Sequence, residues 1–141
     1  MVEYMHVLED KHHIICQKII PTGLFVLLFL TRLLTFYEIK GIRVLNGLDS
    51  LMNHKIIFLI FVLMFIAGTW TNFIHIMGRL FLQIISVGTM IIYEIHYPWS
   101  RDYKLKYIRY GFWLNMFASF ILFFYCIYIY YRSKSGNEKE K

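Results

Sequence analysis

The sequence predicts an all-α integral membrane protein, a four-helix bundle that forms a single domain over residues 1–141. Apolar residues make up 58% of the chain and charged residues 17%, against about 25% charged residues in an ordinary soluble domain. A soluble domain of this length has too small a core to bury so much apolar surface. The apolar residues also fall in four continuous runs, and aromatic residues gather at the ends of those runs.

Each apolar run is close to the ~20 residues that an α-helix needs to cross a hydrocarbon core about 30 Å thick. The four predicted spans cover residues 19–37, 56–72, 80–97 and 110–131. Inside lipid each span must satisfy its own backbone hydrogen bonds, so we expect an α-helix in all four. The short connection between the second and third spans predicts a tight antiparallel helical hairpin.

The first connection, residues 38–55, is longer and has a helical pattern of its own. Apolar and polar residues fall there on opposite sides of a helix, with Ile42, Leu45, Leu48 and Met52 on one side and Arg43, Asn46, Ser50 and Asn53 on the other. This pattern predicts a short amphipathic helix at the membrane interface, and an irregular loop is the alternative. Residues 133–141 are small and charged, and we expect them to form a disordered tail.

The net charge of +6 indicates a lipid partner rather than a nucleic acid. The basic residues lie between apolar runs, where they contact anionic headgroups and set topology. With four spans, seven Lys and Arg residues fall in the segments on each side of the membrane, so the positive-inside rule favours neither orientation.

The third span carries the polar residues that are candidates for an intramembrane site. Gln83 and Glu94 are eleven residues apart, which places them within about 20° of the same helix face, and Ser86 lies near that face. A polar stripe on a membrane helix faces protein or water rather than lipid. We expect Glu94 at headgroup depth, paired with a basic residue of the adjacent loop. A proton-handling or substrate-binding carboxylate, with Gln83 as a supporting donor, is the alternative.

Arg32, near the end of the first span, is a further candidate for that site. A long basic side chain near a helix end is expected to extend to the interface. If Arg32 faces the bundle instead, Glu94 is its expected partner, because the ends of the first and third spans lie on the same side of an antiparallel bundle.

The fourth span carries small and polar residues at four-residue spacing, namely Gly111, Asn115 and Ser119. Small residues let helices approach closely, and an Asn can donate a hydrogen bond across the contact. We therefore expect the third and fourth helices to pack along these stripes, and a ligand groove between the helices is the alternative.

No catalytic constellation, metal spacing or cofactor motif is present in the sequence, so we expect none of these sites. The six histidines lie in the N-terminal segment or at the edges of the spans, which does not suit haem or zinc ligation.

Residues 56–131 resemble the DoxX superfamily, which includes the surfeit-locus cargo receptors of the early secretory pathway. The turn segment Gly68–Asn72 and the polar loop Tyr97–Tyr110, with Asp102 and Lys106-Tyr107, follow the family's layout. Phe117-Ala118 stand where the family favours a glycine pair. The resemblance implies a chaperone or cargo-binding bundle, or in bacterial relatives a redox-linked membrane subunit.

We therefore expect a non-enzymatic accessory or cargo-binding subunit of an intracellular membrane. Its expected partners are other membrane protein subunits or further copies of the chain. The tail has Lys139 at the third place from the end, as in an endoplasmic-reticulum retrieval signal, which favours an endomembrane location. A redox- or proton-linked subunit that uses Glu94, or an oligomeric transporter component, are the alternative functions.

Overall fold

The computed structural model describes residues 14–39, 43–47, 49, 55–71, 74–100 and 108–139. This part of the chain is mainly helical, with four helices and one two-stranded sheet. A π-helical segment, Ile15–Ile19, continues directly into helix α1. The elements that follow are α1 (Ile20–Thr31), β1 (Thr35–Ile39), β2 (Arg43–Asn46), α2 (Lys55–Trp70), α3 (Ile76–Ser100) and α4 (Tyr110–Lys139).

Two of the helices are long and apolar enough to cross a membrane. These stretches are Ile76–Tyr97 in α3 and Tyr110–Ser135 in α4. Only 33% and 39% of the residues in their most apolar windows are buried, so most of each helix faces outward. The other two apolar helices, Ile15–Thr31 and Lys55–Trp70, are shorter.

The helices pack as an antiparallel group. Helix α3 lies between α2 and α4, and α1 lies against α4. Pro21 lies directly after the π-helical segment, so the residue that lacks a backbone N–H is at the junction where the hydrogen-bond pattern changes. The buried core between the helices includes Phe65, Val87 and Leu122.

The first helix ends earlier than the sequence predicts, and a β-hairpin follows it. Helix α1 stops at Thr31 instead of residue 37, and β1 and β2 then pair antiparallel with Tyr37 opposite Leu45. The residues of β1 are aromatic or β-branched apart from Glu38, and such residues favour strands over helices. Tyr37 also forms an antiparallel bridge to Ile108, so the segment before α4 joins the hairpin on its other side.

The hairpin also replaces part of the predicted interfacial helix. Residues 43–46 form β2 and pair with β1. Pairing of two strands satisfies backbone N–H and C=O groups that would have no hydrogen-bond partner at the ends of a short helix flanked by glycines. Residues 42, 48 and 50–53 of that predicted helix lie outside the described residues.

The predicted disordered tail is helical as far as Lys139. Helix α4 runs from Tyr110 to Lys139, eight residues beyond the predicted span. No proline interrupts this segment, and each residue added to an existing helix gains a backbone hydrogen bond without a new nucleation step.

Candidate functional site

A cluster of four polar side chains lies inside the bundle at the end that carries the hairpin. We call it the ion-pair cluster, and it consists of Thr31, Arg32, Glu94 and Asn115. Thr31 is the last residue of α1 and Arg32 follows it, Glu94 is near the C-terminal end of α3, and Asn115 is in the second turn of α4. Three helices therefore contribute to one site.

The carboxylate of Glu94 is the centre of the cluster, because each of its oxygens has a partner. Arg32 Nη2 pairs with Glu94 Oε1. Asn115 Nδ2 donates a hydrogen bond to Glu94 Oε2 at 2.7 Å. The Thr31 hydroxyl completes the chain, since its oxygen lies 2.9 Å from Asn115 Oδ1 and 2.7 Å from the carbonyl oxygen of Leu28.

The ion-pair cluster is almost fully removed from solvent. Arg32 is 1% exposed, Glu94 4%, and Asn115 is fully buried. Burying two charges is unfavourable unless they pair and their remaining polar atoms are hydrogen-bonded. The Asn115 amide supplies part of that compensation, and the cluster consequently fixes the relative positions of α1, α3 and α4.

Aromatic rings of the hairpin and of α4 lie beside the ion-pair cluster and help to close this end of the bundle. Phe36 packs edge-on against Phe112, with ring centroids 5.9 Å apart, and Tyr37 contacts Tyr97 at 6.1 Å. Gly47, directly after β2, must be a glycine for the chain to lie this close to Arg32, because a Cβ there would be 2.8 Å from Arg32 Cα. Water therefore has little access to the ion pair from this side.

A second ion pair lies on the surface of the same end. Arg109 Nε is 2.8 Å from Glu38 Oε2, and both side chains are about two-fifths exposed. The backbone N–H of Arg109 also donates to the Phe36 carbonyl at 2.8 Å. These contacts attach the hairpin to the start of α4.

The structure separates Gln83 from Glu94, although both lie on the inner face of α3. Gln83 Nε2 donates to Thr69 Oγ1 at 2.9 Å and lies 3.4 Å from the backbone carbonyl of Gln17. Eleven residues at 1.5 Å of rise place Gln83 roughly 16 Å along the helix from Glu94. Gln83 is thus not a supporting donor for Glu94, and instead joins α2, α3 and the π-helical segment at the other end.

The other candidate residues from the sequence, Ser86, Ser119 and Gly111, each have separate contacts in the structure. Ser86 Oγ donates to the Phe61 carbonyl of α2 at 2.8 Å. Ser119 is fully buried, and its hydroxyl donates within α4 to the Asn115 carbonyl at 2.9 Å. Gly111 lies against the start of β1, since a Cβ there would be 2.5 Å from the Thr35 carbonyl oxygen.

The expectation that Arg32 extends to the interface is wrong, because Arg32 is buried in the bundle. The reason is the early end of α1, because the turn at residues 32–34 directs Arg32 back into the bundle. Among the described residues, Arg32 of the turn after α1 is the basic partner of Glu94, while Arg101, Lys104 and Lys106 of the loop after α3 lie outside the described residues. Sequence patterns do not single out Thr31, although it is adjacent to Arg32, and they predict Phe36 and Tyr37 only as aromatic residues at the end of a span.

No protein-family model, curated protein or solved structure matches this chain. Within the described ranges, no three His, Cys, Asp or Glu side chains are grouped as a metal ion requires. What the site does chemically must therefore be argued from its own contacts.

Proposed function

We propose that this chain is an integral membrane protein whose four helices all cross the bilayer. The observation that carries the proposal is the distribution of polarity in the described residues. Nine polar or charged side chains are buried, namely Gln17, Thr31, Arg32, Thr69, Gln83, Ser86, Glu94, Asn115 and Ser119, while thirty large apolar side chains are exposed. Lipid favours this arrangement and water opposes it, because contiguous exposed apolar surface is rare on soluble monomers.

The shorter helices α1 and α2 share this outward apolar surface. Leu27 and Leu30 of α1, and Leu59 and Leu63 of α2, are each more than half exposed. Ile15–Thr31 is 17 residues long, which is at the lower end of the ~17–25 residues that span a bilayer. A short span is accommodated by local thinning of the bilayer, at a small free-energy penalty.

Trp70 supports the placement of a membrane interface at the end of the bundle opposite the hairpin. Its indole Nε1 is 3.2 Å from Thr22 Oγ1, and Lys18 Nζ lies 5.8 Å from the ring centroid. Half-exposed tryptophans beside a lysine are typical of headgroup depth, where the ring is apolar and the polar edge is solvated.

Topology mapping with engineered glycosylation sites tests the four spans. The chain has no Asn-x-Ser/Thr sequence, so an introduced one reports without background. We expect a site at the C-terminus and one in the α2–α3 connection to be either both glycosylated or both unglycosylated. Sites in the hairpin turn and in the α3–α4 connection should then have the opposite glycosylation state. Agreement of all four sites, or release of the protein from membranes by alkaline carbonate, would contradict the proposal.

We further propose a non-enzymatic role as an accessory or cargo-binding, chaperone-like subunit. The support is that the groups best suited to chemistry are engaged in holding helices together: Arg32 and Glu94 pair with each other, and Gln83 binds across to α2. In mild detergent the protein should migrate on native gels in a complex heavier than its own dimer. Migration only as a monomer or dimer would contradict this role.

A proton-linked subunit is the second candidate, because Glu94 is a carboxylate inside a membrane bundle, where such groups often carry protons. Glu94→Gln separates the two roles. Loss of cellular function with normal protein abundance favours the proton-linked role, while retained function at reduced abundance favours the accessory role. An oligomeric transporter, the DoxX relationship and an endomembrane location stay predictions.

A further inference from the structure

The outward face of α4 carries aromatic residues at a regular spacing. Tyr110, Phe117, Phe124 and Tyr131 are each seven residues apart and 62–69% exposed. Trp113 and Tyr128 lie beside them and are each 56% exposed. We call these six residues the aromatic ridge. It lies opposite the buried face of α4, which carries Asn115, Ser119 and Leu122.

Contact with lipid alone does not account for this composition. The outward faces of α1 and α2 are mainly aliphatic, with Leu27, Leu30, Leu59 and Leu63 among their exposed residues, although Phe29 and Trp70 are also exposed. Tyrosines at the two ends of a span are expected at headgroup depth. The interfacial preference of aromatic rings does not explain phenylalanines seven residues inside each end, roughly 10 Å from Tyr110 and Tyr131 along the helix axis.

The seven-residue spacing indicates a helical partner. A straight α-helix drifts by about 20° per heptad, so a repeat of seven stays in contact with a neighbour only if the two helices supercoil. The resulting left-handed crossing is the commonest geometry of membrane helix pairs. The ridge extends over three heptads, which is the length of the apolar part of α4.

We propose that the aromatic ridge binds a second copy of this chain, forming a two-fold symmetric dimer with the α4 helices parallel. The inference rests on the proposed membrane function, because copies inserted with one topology can be related only by an axis along the membrane normal. Under that symmetry each ridge residue near the axis meets its own counterpart. Phe117 and Phe124 form the centre of the interface, with Tyr110 and Tyr131 at its ends.

The size of the aromatic ridge suits this partner. At about 200 Å² for an aromatic side chain, six rings that are three-fifths exposed offer roughly 700 Å² per copy. A standard-size interface buries about 800 Å² per partner. In lipid the attraction comes from van der Waals packing and from ring-to-ring contacts rather than from the hydrophobic effect.

Neighbouring rings within α4 already hold the ridge in position. Phe120 stacks on Phe124 with centroids 6.4 Å apart, and Phe112 packs edge-on against Trp113 at 5.6 Å. Side chains that are fixed before association lose less conformational entropy when they bind. Phe124 and Trp113 are therefore partly held in position before association.

Disulfide cross-linking in liposomes tests the interface. In a background where Cys16 and Cys126 are replaced by serine and alanine, Phe117→Cys and Phe124→Cys are compared with Leu59→Cys and Leu63→Cys, matched exposed positions on α2. We expect covalent dimers from the two α4 variants at several times the yield of the α2 variants. Equal yields, or higher yields on α2, would overturn the proposal.

Energy transfer between donor- and acceptor-labelled copies of the otherwise unchanged protein provides a second measurement that does not depend on the cysteine-replaced background. Transfer should persist when the liposomes are diluted with lipid, and Phe117→Ala with Phe124→Ala should weaken the dimer about tenfold or more. The paired control, Leu59→Ala with Leu63→Ala, should leave it unchanged.

Three further outcomes would overturn the proposal. One is a wild-type protein that shows four spans by glycosylation mapping but stays monomeric, and this leaves the membrane function intact. Another is a dimer that does not respond to the Phe117 and Phe124 substitutions, which assigns the interface to another face. The third is a protein that does not insert at all, which removes the ridge proposal and the membrane function together.

Discussion

Arg32 and Glu94 form an ion pair in the interior of the bundle, joining the turn after α1 to the C-terminal part of α3. The pair is 62 residues apart in the chain, so it forms only when the first and third helices are in place. Asn115 of α4 binds the second oxygen of the same carboxylate. The pair therefore depends on the packing of three helices and also stabilises that packing.

Replacing Glu94 with Gln should destabilise the fold strongly. The substitution keeps the shape of the side chain but leaves the Arg32 guanidinium buried without a counter-charge. Breaking one side of a buried pair lowers the free energy of unfolding by about 3–5 kcal/mol. Unfolding in mixed detergent micelles measures the change. The matched control is Glu38→Gln in the exposed pair with Arg109, which should change it by less than about 1 kcal/mol.

Replacing both charges together should recover much of this loss. Apolar residues of similar volume can substitute for a buried ion pair at little or no net change in stability. The double variant Arg32→Met with Glu94→Leu should thus be more stable than either single variant. A double variant as unstable as the sum of the two singles would show that Arg32 and Glu94 act independently.

Asn115→Leu tests the hydrogen bond from α4 to the carboxylate. The substitution removes the 2.7 Å bond to Glu94 and the contact with Thr31, leaving a buried carboxylate oxygen unsatisfied. We expect a loss of about 1–3 kcal/mol in the free energy of unfolding. Ser119→Ala, one turn along α4, removes a hydroxyl that donates to the Asn115 carbonyl of its own helix, and should have a much smaller effect. Equal effects of the two substitutions would contradict the assignment.

Gly111→Ala should displace the hairpin from the end of the bundle. A Cβ at this position would lie 2.5 Å from the Thr35 carbonyl oxygen, so backbone atoms must move. Gly23→Ala is the matched control, because nothing lies within 4 Å of its added Cβ. That control should raise stability slightly, by about 0.5–1 kcal/mol, through helix propensity. Proteolysis between β1 and β2 should speed up for Gly111→Ala and stay unchanged for Gly23→Ala.

Thr69→Val tests the contact at the opposite end of the bundle. The shape is conserved, but the hydroxyl that accepts the Gln83 amide at 2.9 Å is lost. The expected loss in the free energy of unfolding is about 1–3 kcal/mol, because the buried amide then lacks that partner. Thr89→Val is the control, since the Thr89 hydroxyl lies within hydrogen-bonding distance of the Ile85 and Ser86 carbonyls of its own helix. A larger effect at Thr89 would contradict the cross-helix role of Gln83.

The length of the apolar runs and their periodicity predict the first residue of three helices to within a few residues. Residues 56–72, 80–97 and 110–131 correspond to α2, α3 and α4, because a long apolar run in a short chain has few alternatives to a helix. The inward placement of Glu94 and Asn115 also follows from periodicity, since polar residues on apolar helices turn towards protein.

The hairpin and the ion pair were harder to predict, for one shared reason. The apolar run from residue 19 to 37 predicts one membrane span, yet Thr35–Ile39 is a strand. Its aromatic and β-branched residues were the available signal, but hydropathy scores such residues in the same way in a helix and a strand. Arg32 was assigned to the interface because its helix was assumed to continue beyond it.

The proposal that all four helices cross the bilayer is tested most directly on the two shorter helices. A spin label at Leu27 of α1 or Leu63 of α2, both more than half exposed, reports the collision rates of oxygen and of a water-soluble nickel chelate in liposomes. We expect high oxygen and low nickel accessibility at both positions, as at Ile92 of α3, which is 67% exposed. High nickel accessibility at Leu27 and Leu63 would contradict it.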